Sequence, residues 1–132
     1  MTALAFGFTK LVVKDLDTCT SFYRDVFGMK PMRHVGTSEH KFALDEVIMS
    51  LSGGRDGHAL VITRYREMPC PPSGSAWTGF TVPDIDEALR RVSDAGGTVE
   101  VPVHSNPEHR VKAAIAADPE GHLIEIIQLD MD

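Results

Sequence analysis

Apolar and polar positions follow the same order twice along the 132-residue chain. Phe8-Thr9-Lys10-Leu11-Val12-Val13 is a short run of apolar and β-branched residues that ends in Lys14-Asp15-Leu16-Asp17. Trp77-Thr78-Gly79-Phe80-Thr81-Val82 repeats it 69 residues later and ends in Pro83-Asp84-Ile85-Asp86. Each run reads as a strand, and each is followed by apolar residues at helical spacing. The first helix is predicted over residues 17–27, with Cys19, Phe22, Tyr23, Val26 and Phe27 on one face. Asp15 or Asp17 would cap it, and Gly28 supplies the left-handed exit. The second is predicted over residues 86–95, with a stripe of Ala88, Leu89, Val92 and Ala95 closed by Gly96-Gly97. Strand patterns then follow at residues 30–35, 41–51 and 58–66 in the first half, and at 98–104, 110–117 and 122–129 in the second. Ser-Gly-Gly-Arg-Asp-Gly at 52–57 reads as a hairpin turn, as does Asp-Pro-Glu-Gly at 118–121. The string is strand, helix, strand, strand, strand, repeated.

Between the halves, residues 67–76 read Glu-Met-Pro-Cys-Pro-Pro-Ser-Gly-Ser-Ala. Three prolines fix φ and remove three donors, so neither a helix nor a central strand passes through. The expected organisation is one α+β domain: a module over about 5–66, a linker, and a second module over about 77–130. The formal charge of −6, with no basic cluster longer than Arg64-Tyr65-Arg66 or Arg90-Arg91, argues against nucleic acid. No apolar run reaches the ~20 residues of a membrane helix, and no secretory leader pattern opens the chain. Cys19 and Cys70 make no disulfide framework. These features point to a cytoplasmic protein.

Three stretches carry a family resemblance: Val12-Val13-Lys14-Asp15-Leu16-Asp17 with Phe22-Tyr23-Arg24-Asp25-Val26-Phe27-Gly28-Met29; residues 82–97; and Asp118-Pro119-Glu120-Gly121-His122-Leu123-Ile124-Glu125. Together they resemble the vicinal oxygen chelate superfamily of glyoxalases, bleomycin-resistance proteins and extradiol dioxygenases. The resemblance implies two βαβββ modules forming a curved, cup-shaped mixed sheet with helices outside. It also implies four positions that, in metal-dependent members, hold one divalent ion through His and Glu. Carried over, those positions are Phe8, Ile62, Trp77 and Glu125. Three of the four have no lone pair for a metal, so no cofactor is expected. A shifted set through His58 is the alternative.

Alternation along strands would turn Phe8, Lys10, His58, Ile62, Arg64, Trp77 and Glu125 into the cup. Phe8 and Trp77 could sandwich a planar ligand or fill the vacated metal cavity. Lys10 and Arg64 could read a carboxylate or phosphate, or lie at strand ends in solvent. The polar stretch 105–109 reads as a loop at the mouth, from which His109 or Arg110 could reach in. The expected function is metal-free binding of a small anionic or aromatic molecule. The alternative is a lyase, isomerase or dioxygenase-type enzyme with Glu125 as general base and Lys10 or Arg64 steadying an oxyanion. A homodimer is expected, because modules of this kind close a cup within one chain or across two.

Overall fold

The computed structural model describes residues 2–38, 41–108 and 110–129. The chain divides into two compact units at Pro71/Pro72, inside the predicted linker. The first holds β1 (Phe8–Val12), α1 (Leu16–Phe27), β2 (Lys30–Thr37), β3 (Leu44–Ser50) and β4 (Ala59–Tyr65). The last turn of α1, Asp25–Phe27, is grouped with the second unit. That unit holds β5 (Thr78–Thr81), α2 (Ile85–Asp94), β6 (Thr98–Asn106), β7 (Val111–Ala117) and β8 (Leu123–Leu129). The sequence repeat is therefore a structural repeat of βαβββ, in the α+β class. The sheet orders match as well: β1-β4-β3-β2 in one unit and β5-β8-β7-β6 in the other. In each, the first strand pairs parallel with the last and the remaining pairs are antiparallel.

Both helices begin as their sequences dictate. Asp15, not Asp17, caps α1, its carboxylate accepting from the Thr18 amide at 3.0 Å. That backbone hydrogen bond, with one from the Thr18 side chain, holds the Asp15 carboxyl below its ordinary pKa. Asp84 caps α2 by the same geometry onto Glu87. Gly28 leaves α1 at φ +74°, a conformation in which a side chain would be strained. Most of the predicted stripes are buried, Cys19, Phe22, Tyr23 and Val26 on α1 and Ala88 and Val92 on α2, whereas Phe27, Leu89 and Ala95 are only half-buried. α2 packs along β6, β7 and β8.

Strand limits differ from the sequence pattern by a few residues. β3 starts at Leu44 rather than 41. β6 runs on to Asn106, so Ser105 and Asn106, expected in a loop, lie in a strand. His109, expected at the mouth, lies outside the described residues. No helix among the described residues is long and apolar enough to cross a membrane.

Candidate ligand-binding site

Residues paired across a ladder share a face, so the register of the first sheet fixes which side chains lie together. Phe8 pairs with Ala59, Lys10 with Val61 and Val12 with Thr63; across β4, Val61 meets Ile48 and Thr63 meets Glu46. Phe8, Lys10, Glu46, Ile48, Ala59 and Val61 therefore stand on one face, where they line a concavity of ≈ 460 Å³. Leu11, Val47, Met49, Leu60 and Ile62 take the opposite face and are buried. The volume lies within the ~300–1,000 Å³ usual for small-molecule sites.

This geometry corrects two expectations. Ile62 is fully buried on the face away from the concavity, in register with Leu11 and Val47. The β4 residue beside Phe8 and Lys10 is Val61. Arg64 shares the parity of Ile62 and lies beside Asp45, at 3.8 Å. Asp45 is held more closely by Arg66, through contacts of 2.9 and 2.7 Å. Those bonds keep the Asp45 carboxyl below, and the Arg66 guanidinium above, their ordinary pKa values. Lys10 and Arg64 thus cannot approach one ligand atom from the same face.

Lys10 does lie in the concavity, but with a partner. Its Nζ sits 3.0 Å from Oε1 of Glu46. Thr63 Oγ1 donates to the same oxygen at 3.1 Å. The Glu46 side chain is only 11% exposed, so the lysine compensates a carboxylate that would otherwise be buried alone.

Of the residues lining the concavity, the sequence pattern singled out only Phe8 and Lys10, and four of the others show why. Met32 and Arg33 come from β2, where the register slips between Pro31 and Arg33. The bulge turns two consecutive side chains to the same concavity, which a regular strand cannot do. The only advance signal is Pro31, a residue that disfavours an uninterrupted ladder. Gly54 and Arg55 come from the β3–β4 turn. Its glycines mark it as a hairpin but say nothing of which way its arginine points.

In the second unit the expected parity holds. Glu125 pairs with Gly79 and Ile115, and Ile127 with Ala113, so these share a face. Glu125 is exposed on it, while Ile124 and Ile126 are buried on the other. Trp77 immediately precedes β5 and is 48% exposed.

His58, the alternative ligand, is hydrogen-bonded within the first unit. Its Nδ1 lies 2.8 Å from the Phe6 carbonyl, which can only accept, so Nδ1 carries the proton. Nε2 then accepts from the Thr9 hydroxyl at 2.7 Å, and both ring nitrogens are engaged. His122 is buried beside Asp118, its Nδ1 2.9 Å from the carboxylate. Among the described residues no group of three or more His, Cys, Asp or Glu side chains is placed to hold a metal ion.

Comparison with known proteins gives a consistent assignment of kinship. A profile of the Glyoxalase/Bleomycin resistance protein/Dioxygenase superfamily matches residues 5–126. A lactoylglutathione lyase from Neisseria meningitidis is 30% identical over 122 residues, spanning 91% of this chain and 87% of that protein. A glyoxalase family protein from Bacillus cereus superposes with a TM-score of 0.84 at 19% identity, over 97% of this chain and 95% of that one. A glyoxalase I variant from Zea mays superposes with a TM-score of 0.76 at 18% identity, covering 92% of this chain. The chain spans only 44% of the length of that maize protein.

Proposed function

The chain belongs to the glyoxalase/bleomycin resistance protein/dioxygenase superfamily, and from that premise we propose that it binds a small molecule with a flat apolar body, without a metal. The concavity of the first unit carries this reading. Phe8, Met32, Ile48 and Val61 give it apolar walls, and its central polar groups, Lys10 and Glu46, already satisfy each other. Such a surface rewards burial of an aromatic ligand at about 25 cal/mol per Å² of apolar area removed from water. Phe8 is 58% exposed and has a ring face to offer.

The relatives named lactoylglutathione lyase act on lactoylglutathione, and the resemblance brings a metal with it. The donor set here does not fit that group. Transition ions need several N, O or S donors. Phe8, Trp77 and either Ile62 or Val61 supply none, and Glu125 alone is a weak site. No reaction step through a metal is derived for this chain.

The test is titration of the whole protein with N-phenyl-1-naphthylamine, a neutral aromatic fluorophore, with EDTA or with added nickel or zinc. One saturable site per chain is expected, with the same affinity in all three conditions, and Phe8→Ala should weaken it. Binding that appears only with metal, or metal-dependent turnover of lactoylglutathione, would overturn the proposal.

A further inference from the structure

The apolar walls say nothing about the ligand's charge, but the rim does. Three cationic side chains line the concavity, Lys10, Arg33 and Arg55, against one carboxylate, Glu46. Glu46 is spent on Lys10 at 3.0 Å. Neither arginine has an ion pair among the described residues, and both are exposed. A chain of net charge −6 therefore gathers uncompensated positive charge at one apolar site.

Two independent features aim these arginines. On β2, the bulge between Pro31 and Arg33 puts Arg33 opposite Ile48, on the concave face. After β3, the turn is tied down by its own side chains. Ser50 Oγ donates to the Gly54 carbonyl and accepts from the Gly53 amide, both at 3.0 Å. Ser52 Oγ donates to Asp56 at 2.9 Å and accepts from the Gly54 amide at 3.1 Å. Gly53 and Gly57 both sit at φ +80°, where a side chain would be strained. A Cβ on Gly54 would lie 2.9 Å from the Asp56 carboxylate. The turn is thus a fastened loop, and Arg55 is presented from it. Asp56, the acid nearest in sequence, is occupied by Ser52.

Resting on the binding reading above, we infer that Arg33 and Arg55 form an anion-reading rim. The ligand is an aromatic or flat apolar molecule bearing a carboxylate or phosphate. Guanidinium forks suit either group, through paired N–H donors. Of the two cations that the sequence offered for this, Lys10 serves Glu46 and Arg64 lies beside Asp45 on the other face.

The experiment displaces N-phenyl-1-naphthylamine with three competitors that share one ring system: 1-naphthoate, 1-naphthyl phosphate and neutral 1-naphthalenemethanol. At least one anion is expected to compete about tenfold better than the alcohol, as charge-assisted hydrogen bonds at a partly exposed site allow. The better anion identifies carboxylate or phosphate as the group read. Arg33→Gln and Arg55→Gln should each cut that advantage about threefold, and the double variant should abolish it, with the alcohol unchanged throughout. Arg55→Lys should fall between, keeping charge without the fork. Arg90→Gln, at an exposed position of α2 in the other unit, should change nothing. If the neutral fluorophore binds but the anions show no advantage, or show one that survives in the double variant, the anion-reading rim is wrong and the apolar site stands. If the fluorophore does not bind at all, both fall together.

Discussion

Lys10 and Glu46 show how one residue's role depends on its neighbour. A lysine on an apolar concave face reads as a ligand contact, yet its charge is used within the protein. Glu46 is too buried to lose that partner without cost. Lys10→Met should lower stability by about 1–2 kcal/mol at neutral pH, less than a fully buried pair would, because the lysine is 35% exposed. Removing the stranded charge as well should repair much of the loss. In Lys10→Met/Glu46→Gln the amide still accepts from Thr63, and no anion is left unpaired. Urea unfolding of the wild type, both single variants and the double variant closes the cycle. Strict additivity of the two single losses would mean that the contact at 3.0 Å contributes nothing. The residue scale also explains why Arg55 escaped notice. Its place depends on hydroxyl-to-backbone bonds within a turn, and a string of Ser, Gly and Asp predicts a turn without predicting its direction.

At the scale of the element, β4 carries the sharpest test. Ile62 and Val61 are adjacent and both buried, but they face opposite sides of one sheet. Ile62→Ala should cost about 2–4 kcal/mol by opening a cavity in the packed face, with little change in fluorophore affinity. Phe8→Ala, on the concave face and largely exposed, should stay within about 0.5 kcal/mol of wild-type stability while weakening binding. Thermal unfolding and titration of the same two variants read both effects, and loss of affinity in Ile62→Ala at unchanged stability would reverse the face assignment. Sequence misplaced Ile62 for a physical reason. Ala59-Leu60-Val61-Ile62-Thr63 is apolar or β-branched at every position, so alternation is silent and a one-residue slip exchanges the faces. In β8, Glu125 between Ile124 and Ile126 breaks the monotony, and the faces there were legible. The helices, with caps and stripes that only one register satisfies, were legible nearly to the residue. The bulge in β2 was not, since it is a departure from the periodicity that sequence reading uses.

At the scale of the whole molecule, the duplicated βαβββ order was visible because both halves keep the same strand-to-cap transition, from Val12-Val13 to Asp15 and from Val82 to Asp84. Charge is the property that belongs to the chain entire, and it opposes the proposed site. An anionic ligand meets two nearby guanidiniums and, farther off, the rest of the chain, which carries −8 once those two are set apart from the net −6. At contact distance each guanidinium is worth about 1 kcal/mol even at the dielectric of water, and screening at that range is weak. The net charge acts from on the order of 15 Å, beyond the ~8–10 Å Debye length of physiological salt but well inside the ~30 Å length at 0.01 M. Raising salt therefore removes most of the distant repulsion and only part of the near attraction. The two changes are similar in size, so naphthoate affinity in the wild type should move by less than about threefold between 10 and 150 mM salt. In Arg33→Gln/Arg55→Gln the near attraction is gone and two positive charges are lost from a chain already at −6. Only repulsion then remains, and naphthoate should bind more tightly as salt rises, while 1-naphthalenemethanol stays flat in both proteins. A wild-type affinity that climbs with salt as steeply as the variant's would place the arginines too far from the ligand to read its charge.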